Sequence, residues 1–149
     1  MGLQEEIKQS KFRSSYQKAL INIFYTNNWL DSQLRHLLKG HGLTKQQFNV
    51  LRILRGSHPE PLSTLQIRER MLDKMSDSSR IVDRLLLKEY VDKQVCSNDK
   101  RLVDVCITDK GLALLAQMDK DEDILDKTLQ KISPEEAETL SQLLDKIRG

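Results

Sequence analysis

A chain of 149 residues is most simply one domain, and 24 Lys and Arg against 22 Asp and Glu leave a net charge of +2 that selects no partner by itself. No run reaches the roughly 18 apolar residues of a membrane span. The opening "MGLQEEIKQS" lacks the basic start and apolar core of a secretion signal, so a cytoplasmic protein with no membrane partner is expected.

In chain order, Tyr16, Leu20, Ile23, Leu30, Leu34 and Leu37 recur at helical spacing and predict one long amphipathic helix from about Lys11 to Leu38. "KGHG" ends it, with Gly40 and Gly42 as C-cap residues, and Thr44 caps a second helix carrying Phe48, Leu51 and Leu54 on one face. "RGSHPEP" breaks that helix. Ser63 or Thr64 opens a short third helix through Ile67 to Met71, and "LDKM" leads into a fourth, about Lys74 to Lys88, with Met75, Ile81, Val82 and Leu85 facing the core.

Two alternating runs follow, Val91, Lys93, Val95 and Val103, Val105, Ile107, around a polar cluster, which is the pattern of a β-hairpin. Pairing Val91 with Ile107 and Val95 with Val103 sets Cys106 opposite Asp92 and Cys96 opposite Leu102, so the two cysteines share a face but not a rung. They read as reduced thiols; a redox pair needs a register slip. Thr108 then caps a helix with Leu112, Leu115 and Met118 that runs through "DKDED" to Leu125, Leu129 and Ile132. Ser133 and Glu136 form a capping box around Pro134 and start the last helix.

The cations are unevenly spread. Residues 112–149 hold 5 Lys and Arg against 9 Asp and Glu, while residues 41–111 hold 13 against 10. A balanced chain still binds a polyanion where its cations share one surface, because neutralised phosphates release counterions locally. Catalytic and cofactor signatures are missing: there is no G-x-G-x-x-G, P-loop, H-E-x-x-H or G-x-S-x-G. His36 and His41 have no carboxylate or thiol at ligand spacing. No enzyme, no cofactor and no metal site is expected.

Short helix, turn, helix and hairpin in succession make a winged helix-turn-helix, whose second helix enters a DNA major groove while the hairpin lies beside the adjacent minor groove. The expected fold is therefore mainly α with a small β-hairpin, a winged helix-turn-helix flanked by long apolar-striped helices at both ends. The recognition half of the fourth helix offers Ser76, Asp77, Ser78, Ser79 and Arg80 to bases or phosphates, with Asp77 able to accept from a cytosine amino group. Arg84 reaches a phosphate or pairs with Asp83 or another local carboxylate. Ser63 and Thr64 suit a phosphate at a helix start. At the wing tip, Lys100 and Arg101 project outward, Arg101 into a narrow minor groove, with Asp99 orienting its guanidinium or simply forming the turn. A winged helix used as a protein-docking module, without specific DNA binding, is the competing reading.

"LTKQQFNVLRIL", "PLS", "RIVDRLLLKEYVDK", the spaced Asp99 and Arg101, and "ITDKG" together resemble the DNA-binding core of the MarR family of bacterial regulators, over about Leu43 to Leu115. The frame from Asp99 to Gly111 is the most specific part, with Ile107 where the family has Leu. The recognition helix departs from the family, carrying Asp77 and lacking extra basic residues in its first turns. The resemblance implies residues 1–149 as one domain, with a winged core at about 43–111 and dimerisation helices at 1–40 and 112–149. It further implies a homodimer, more often a repressor, on a pseudo-palindromic double-stranded operator. A small, often phenolic, effector is implied in the crevice between dimer helices and winged domain; Tyr25, Trp29 and His36 line it or belong to the core. No cysteine stands near the start of the first long helix, where peroxide-sensing relatives keep theirs.

Overall fold

The computed structural model describes residues 1–95 and 103–149, apart from the side chains of Val95, Glu122 and Ile124. Its contacts fall into two units, Met1–His41 and Gly42–Gly149.

The first unit holds a one-turn helix α1, Leu3–Glu6, absent from the sequence reading, and the long helix α2, Ser15–Lys39. α2 starts later than Lys11 because Ser14 is extended and its hydroxyl accepts from the Gln17 N–H at 3.1 Å, satisfying one of the N–H groups that a helix start leaves open. At its other end Gly40 keeps helical geometry, with φ −66°, and only Gly42 uses a glycine's freedom, at φ +66°. His36 and Lys39 lie in the last turn, where cations complement the helix dipole. Tyr16, Leu20 and Phe24 are all exposed on α2.

The second unit contains α3, Lys45–Ser57; β1, Leu62–Ser63; α4, Thr64–Arg70; α5, Ser78–Leu87; β2, Val91–Val95; β3, Val103–Ile107; α6, Asp109–Leu129; and α7, Pro134–Arg148. Each helix start has a named cause. Thr44, Ser63 and Ser133 form capping boxes with Gln47, Gln66 and Glu136, and Thr108 accepts from the Gly111 N–H. The core lies where α3, α4, α5 and the sheet meet: Leu51, Leu54, Ile67, Val82, Leu85, Val91 and Val105 are all essentially inaccessible, and α6 adds Leu115 and Met118. Burying each such side chain contributes about 1.5–3 kcal/mol.

The hairpin register is the expected one, with Val91 opposite Ile107, Val95 opposite Val103 and Cys106 opposite Asp92. The Cys96 to Leu102 pairing lies outside the described residues. β1 adds a third strand to give the order β1-β3-β2, pairing Leu62 with Val105. A two-residue strand has no periodicity to read.

The fourth helix differs from expectation. It begins at Ser78, not Lys74, because Asp77 is its N-cap and the preceding residues form a turn. Met75 therefore lies off the helix and is 91% exposed instead of packing into the core. The Asp73 carboxylate accepts from the Met75 N–H at 2.9 Å, and the Leu72 N–H donates to Asn49 Oδ1 at 2.9 Å, tying the turn to α3.

Candidate nucleic-acid interface

α4, the turn at 71–77 and α5 form the helix-turn-helix, and β2 with β3 forms the base of the wing. Asp77, the anion in the recognition helix, explains itself locally. Its Oδ1 accepts from the Arg80 N–H at 3.1 Å, a cap whose loss typically costs about 0.5–2 kcal/mol. The carboxylate still has a second oxygen for an external donor.

Between α4 and the start of α5 lies an open cleft of about 430 Å³. Thr64, Leu65 and Arg68 line one side and residues 75–79 the other. The structure thus brings Thr64 together with Ser76, Asp77, Ser78 and Ser79. Within it the Oγ atoms of Ser76 and Ser78 are enclosed and have no hydrogen-bond partner, a cost of about 1–3 kcal/mol for each donor left unmet. Ser78 as a whole is 5% exposed, whereas Ser79 and Arg80 are open to solvent.

Ser63 is buried as the N-cap of α4, its hydroxyl accepting from the Gln66 N–H at 3.1 Å. Arg84 makes no pair with its neighbour Asp83, which instead bonds Lys93 of β2 at 2.6 Å. Arg68, Arg80 and Arg84 are exposed, and none has a carboxylate partner among the described residues.

Sequence reasoning missed Leu65, Arg68 and Met75. Arg68 was legible, standing one helical turn after Thr64 on the same face of α4. Met75 carries no such signal, because apolar spacing alone assigns it to the core face of a helix that in fact starts at Ser78.

The wing-tip residues Asp99, Lys100 and Arg101 lie outside the described residues, but the wing's anchorage is described. Thr108 donates its hydroxyl to the Glu89 carbonyl at 2.8 Å and its N–H to the Tyr90 carbonyl at 3.0 Å. Gly111 follows because a Cβ there would stand 2.5 Å from the same Tyr90 oxygen. The "ITDKG" sequence is therefore a clamp between the base of β2 and the first turn of α6. Lys110 closes it, donating to the Lys88 carbonyl at 3.1 Å with its ammonium 5.2 Å from the Tyr90 ring centroid. On β3, burial, then the charges of Asp104 and Asp92, push the Cys106 thiol above its ordinary value.

Tyr25, Trp29 and His36 all lie on α2 and are exposed in the single chain. The Tyr25 hydroxyl donates to Glu6 Oε2 at 2.9 Å, and that hydrogen bond, with some burial and the Glu6 charge, pushes the phenol upward. Among the described residues no group of His, Cys, Asp and Glu is placed to hold a metal, and no helix is long and apolar enough to cross a membrane.

No protein-family model matches the sequence. Individual relatives do. The chain is 30% identical over 118 residues to the HTH-type transcriptional regulator MhqR of Bacillus subtilis, covering 78% of this chain and 79% of that protein. It is 28% identical over 127 residues to the multiple antibiotic resistance protein MarR of Salmonella typhimurium, covering 84% and 87%. Among solved structures, a cysteine-to-serine mutant of MarR from E. coli complexed with operator DNA superposes with a TM-score of 0.79 at 26% identity, over 93% of this chain and 99% of that one. These relatives are transcriptional regulators and not enzymes. With the capped helix pair, the three-stranded wing base and the Thr108 to Gly111 clamp in the same chain, the protein belongs to the MarR family of winged-helix transcriptional regulators.

Proposed function

We propose that the protein is a cytoplasmic homodimeric repressor that binds a pseudo-palindromic double-stranded operator and is released by a small ligand. The observation that carries DNA binding is the surface around the α4–α5 cleft, where Arg68, Arg80 and Arg84 stand in solvent without carboxylate partners among the described residues, beside the exposed Ser79. Cations that no local anion neutralises remain available to phosphates, and a hydroxyl beside them can bond a base edge. A relative of the same fold has been solved on operator DNA, which supports the same use here.

Homodimerisation is supported by apolar side chains that the single chain leaves in water: Tyr16, Leu20 and Phe24 on α2, and Leu140, Leu143 and Ile147 on α7. Residues 1–40 and 112–149 supply the dimerisation helices and about 43–111 the DNA-binding core. For the ligand, Tyr25, Trp29 and His36 on α2 offer aromatic faces and polar tips to a small aromatic effector. Asp99, Lys100 and Arg101 complete the DNA surface at the wing.

Selection of bound fragments from a random DNA library, followed by anisotropy titration across a salt series, tests the reading. A recovered palindrome and a steep fall of affinity with salt are expected. Binding that ignores salt, or no enriched sequence, overturns it in favour of a protein-docking module. Arg101→Ala is expected to reduce the magnitude of the salt slope by about one for each protomer, or about two for the dimer.

A further inference from the structure

The cleft between α4 and α5 has an apolar mouth. Met75 is 91% exposed and Leu65 56% exposed, and both line it. Neither contributes to the core of the second unit, and the neighbouring side chains are hydroxyls, a carboxylate and the exposed Arg68. Two large apolar groups in an otherwise polar lining, with the exposed Arg68 and Arg80 at its flanks, fit a partner that is negative around its edge and apolar at one point.

Double-stranded DNA meets that description at thymine. In the major groove each base pair shows a distinct pattern, and only thymine sets an apolar group, its 5-methyl, beside a hydrogen-bond acceptor, O4. Guanine also presents acceptors but nothing for Met75 or Leu65 to cover. The Ser76 and Ser78 hydroxyls of the same cleft are enclosed, and the exposed Ser79 next to them is the hydroxyl open to a base. An apolar rim and the exposed Ser79 hydroxyl thus occur together, as methyl and carbonyl do on thymine. Basic side chains on both flanking helices, Arg68 on α4 and Arg80 on α5, suit the phosphates on either side.

We propose that Met75 and Leu65 read the 5-methyl group of one thymine in each operator half-site, making the turn of the helix-turn-helix a specificity element alongside α5. This rests on the DNA-binding reading above and adds a named base and atom to it. Asp77 stays a cap with a spare acceptor, and the thymine contact at the cleft falls to the apolar pair with Ser79 beside it.

The test uses the full-length protein and a duplex recovered by selection from a random-sequence library. Each thymine is replaced in turn, symmetrically in both half-sites, by deoxyuridine, which removes only the methyl group. Wild type is expected to lose affinity at one thymine position, by about fourfold for each methyl lost from the contact. Met75→Gln should shrink that loss, and Leu65→Gln with Met75→Gln should abolish it, read for each variant as the ratio of its affinities for the thymine and uridine duplexes. Both side chains are exposed, and thermal melting checks that the variants stay folded. Wild type that binds thymine and uridine duplexes alike at every position overturns the proposal while leaving operator binding intact. So does a double variant that keeps the full loss. Wild type that enriches no duplex overturns the DNA-binding reading and this proposal with it.

Discussion

α3 and α7 are nearly equal in length, yet α3 buries Gln47, Phe48, Val50, Leu51 and Leu54, whereas α7 buries nothing at all. Both have good caps and clear amphipathic stripes. Local sequence quality therefore does not separate them; what each stripe meets does. An isolated helix of about 12–15 residues is marginal in water, and most helix stability in proteins comes from packing of the apolar face. α3 receives that packing within its own chain. α7 keeps Leu140, Leu143 and Ile147 exposed, and α2 repeats the pattern with one buried residue in a 25-residue helix. A fold that finishes its core with α3 to α6 leaves the apolar faces of α2 and α7 for the second copy proposed above.

The largest expected effect comes from the finished side. Leu51→Ala removes a fully buried side chain in α3 and should cost about 2–5 kcal/mol, read as a lower midpoint in urea unfolding. The matching change on α7, Leu140→Ser with Ile147→Ser, should act through association. Sedimentation should show monomers, the melting temperature should lose its dependence on protein concentration, and operator affinity should fall because two half-sites are no longer engaged together. A double variant that stays dimeric would break the contrast between the two helices.

Gly111 sharpens it from another direction. Glycine to alanine inside an exposed helix ordinarily stabilises by up to about 1 kcal/mol, but here the new methyl group would press on the Tyr90 carbonyl. Gly111→Ala should instead destabilise, by about 1–3 kcal/mol as overpacking does, and loosen the wing from α6. Calorimetry showing a raised melting temperature would mean that the clamp yields more readily than the close approach implies. Asp77→Ala should cost less, about 1 kcal/mol, with Asp77→Asn recovering most of it, since Asn caps as well as Asp.

Much of this was legible in the residues and some of it was not, for identifiable reasons. The register of β2 against β3 followed from alternation alone, because a slip of one residue would turn every Val outward. Thr44, Thr108 and Ser133 announced helix starts through side chains that can do little else in those contexts. The start of α5 was misplaced because Lys74 and Met75 continue a helical pattern, and only the cap at Asp77 ends the ambiguity; sequence periodicity sees apolar spacing, not which carboxylate captures which N–H. β1 is set by tertiary pairing with Val105 and leaves no local trace. For Tyr25, the Glu6 partner sits nineteen positions away on a one-turn helix, beyond the range of any local pattern.

The smallest expected effect concerns Cys106, which sits on β3 opposite Asp92. Burial, and then the Asp104 and Asp92 charges, disfavour its thiolate in the folded chain. The folded protein therefore holds the thiol proton to higher pH than the unfolded chain does. The sign follows: this contribution to stability is fully present below the ordinary thiol value and is lost as pH rises from there through the raised value of the folded state. Wild type should lose melting temperature somewhat faster than Cys106→Ser between about pH 8 and pH 10, and the two should run parallel at lower pH. At neutral pH the protonated thiol should also react slowly, since the thiolate is the nucleophile. Iodoacetamide labelling of a Cys96→Ser background, compared with free cysteine, measures that rate. Labelling as fast as the free amino acid would show that the carboxylates opposite and beside Cys106 do not govern its chemistry.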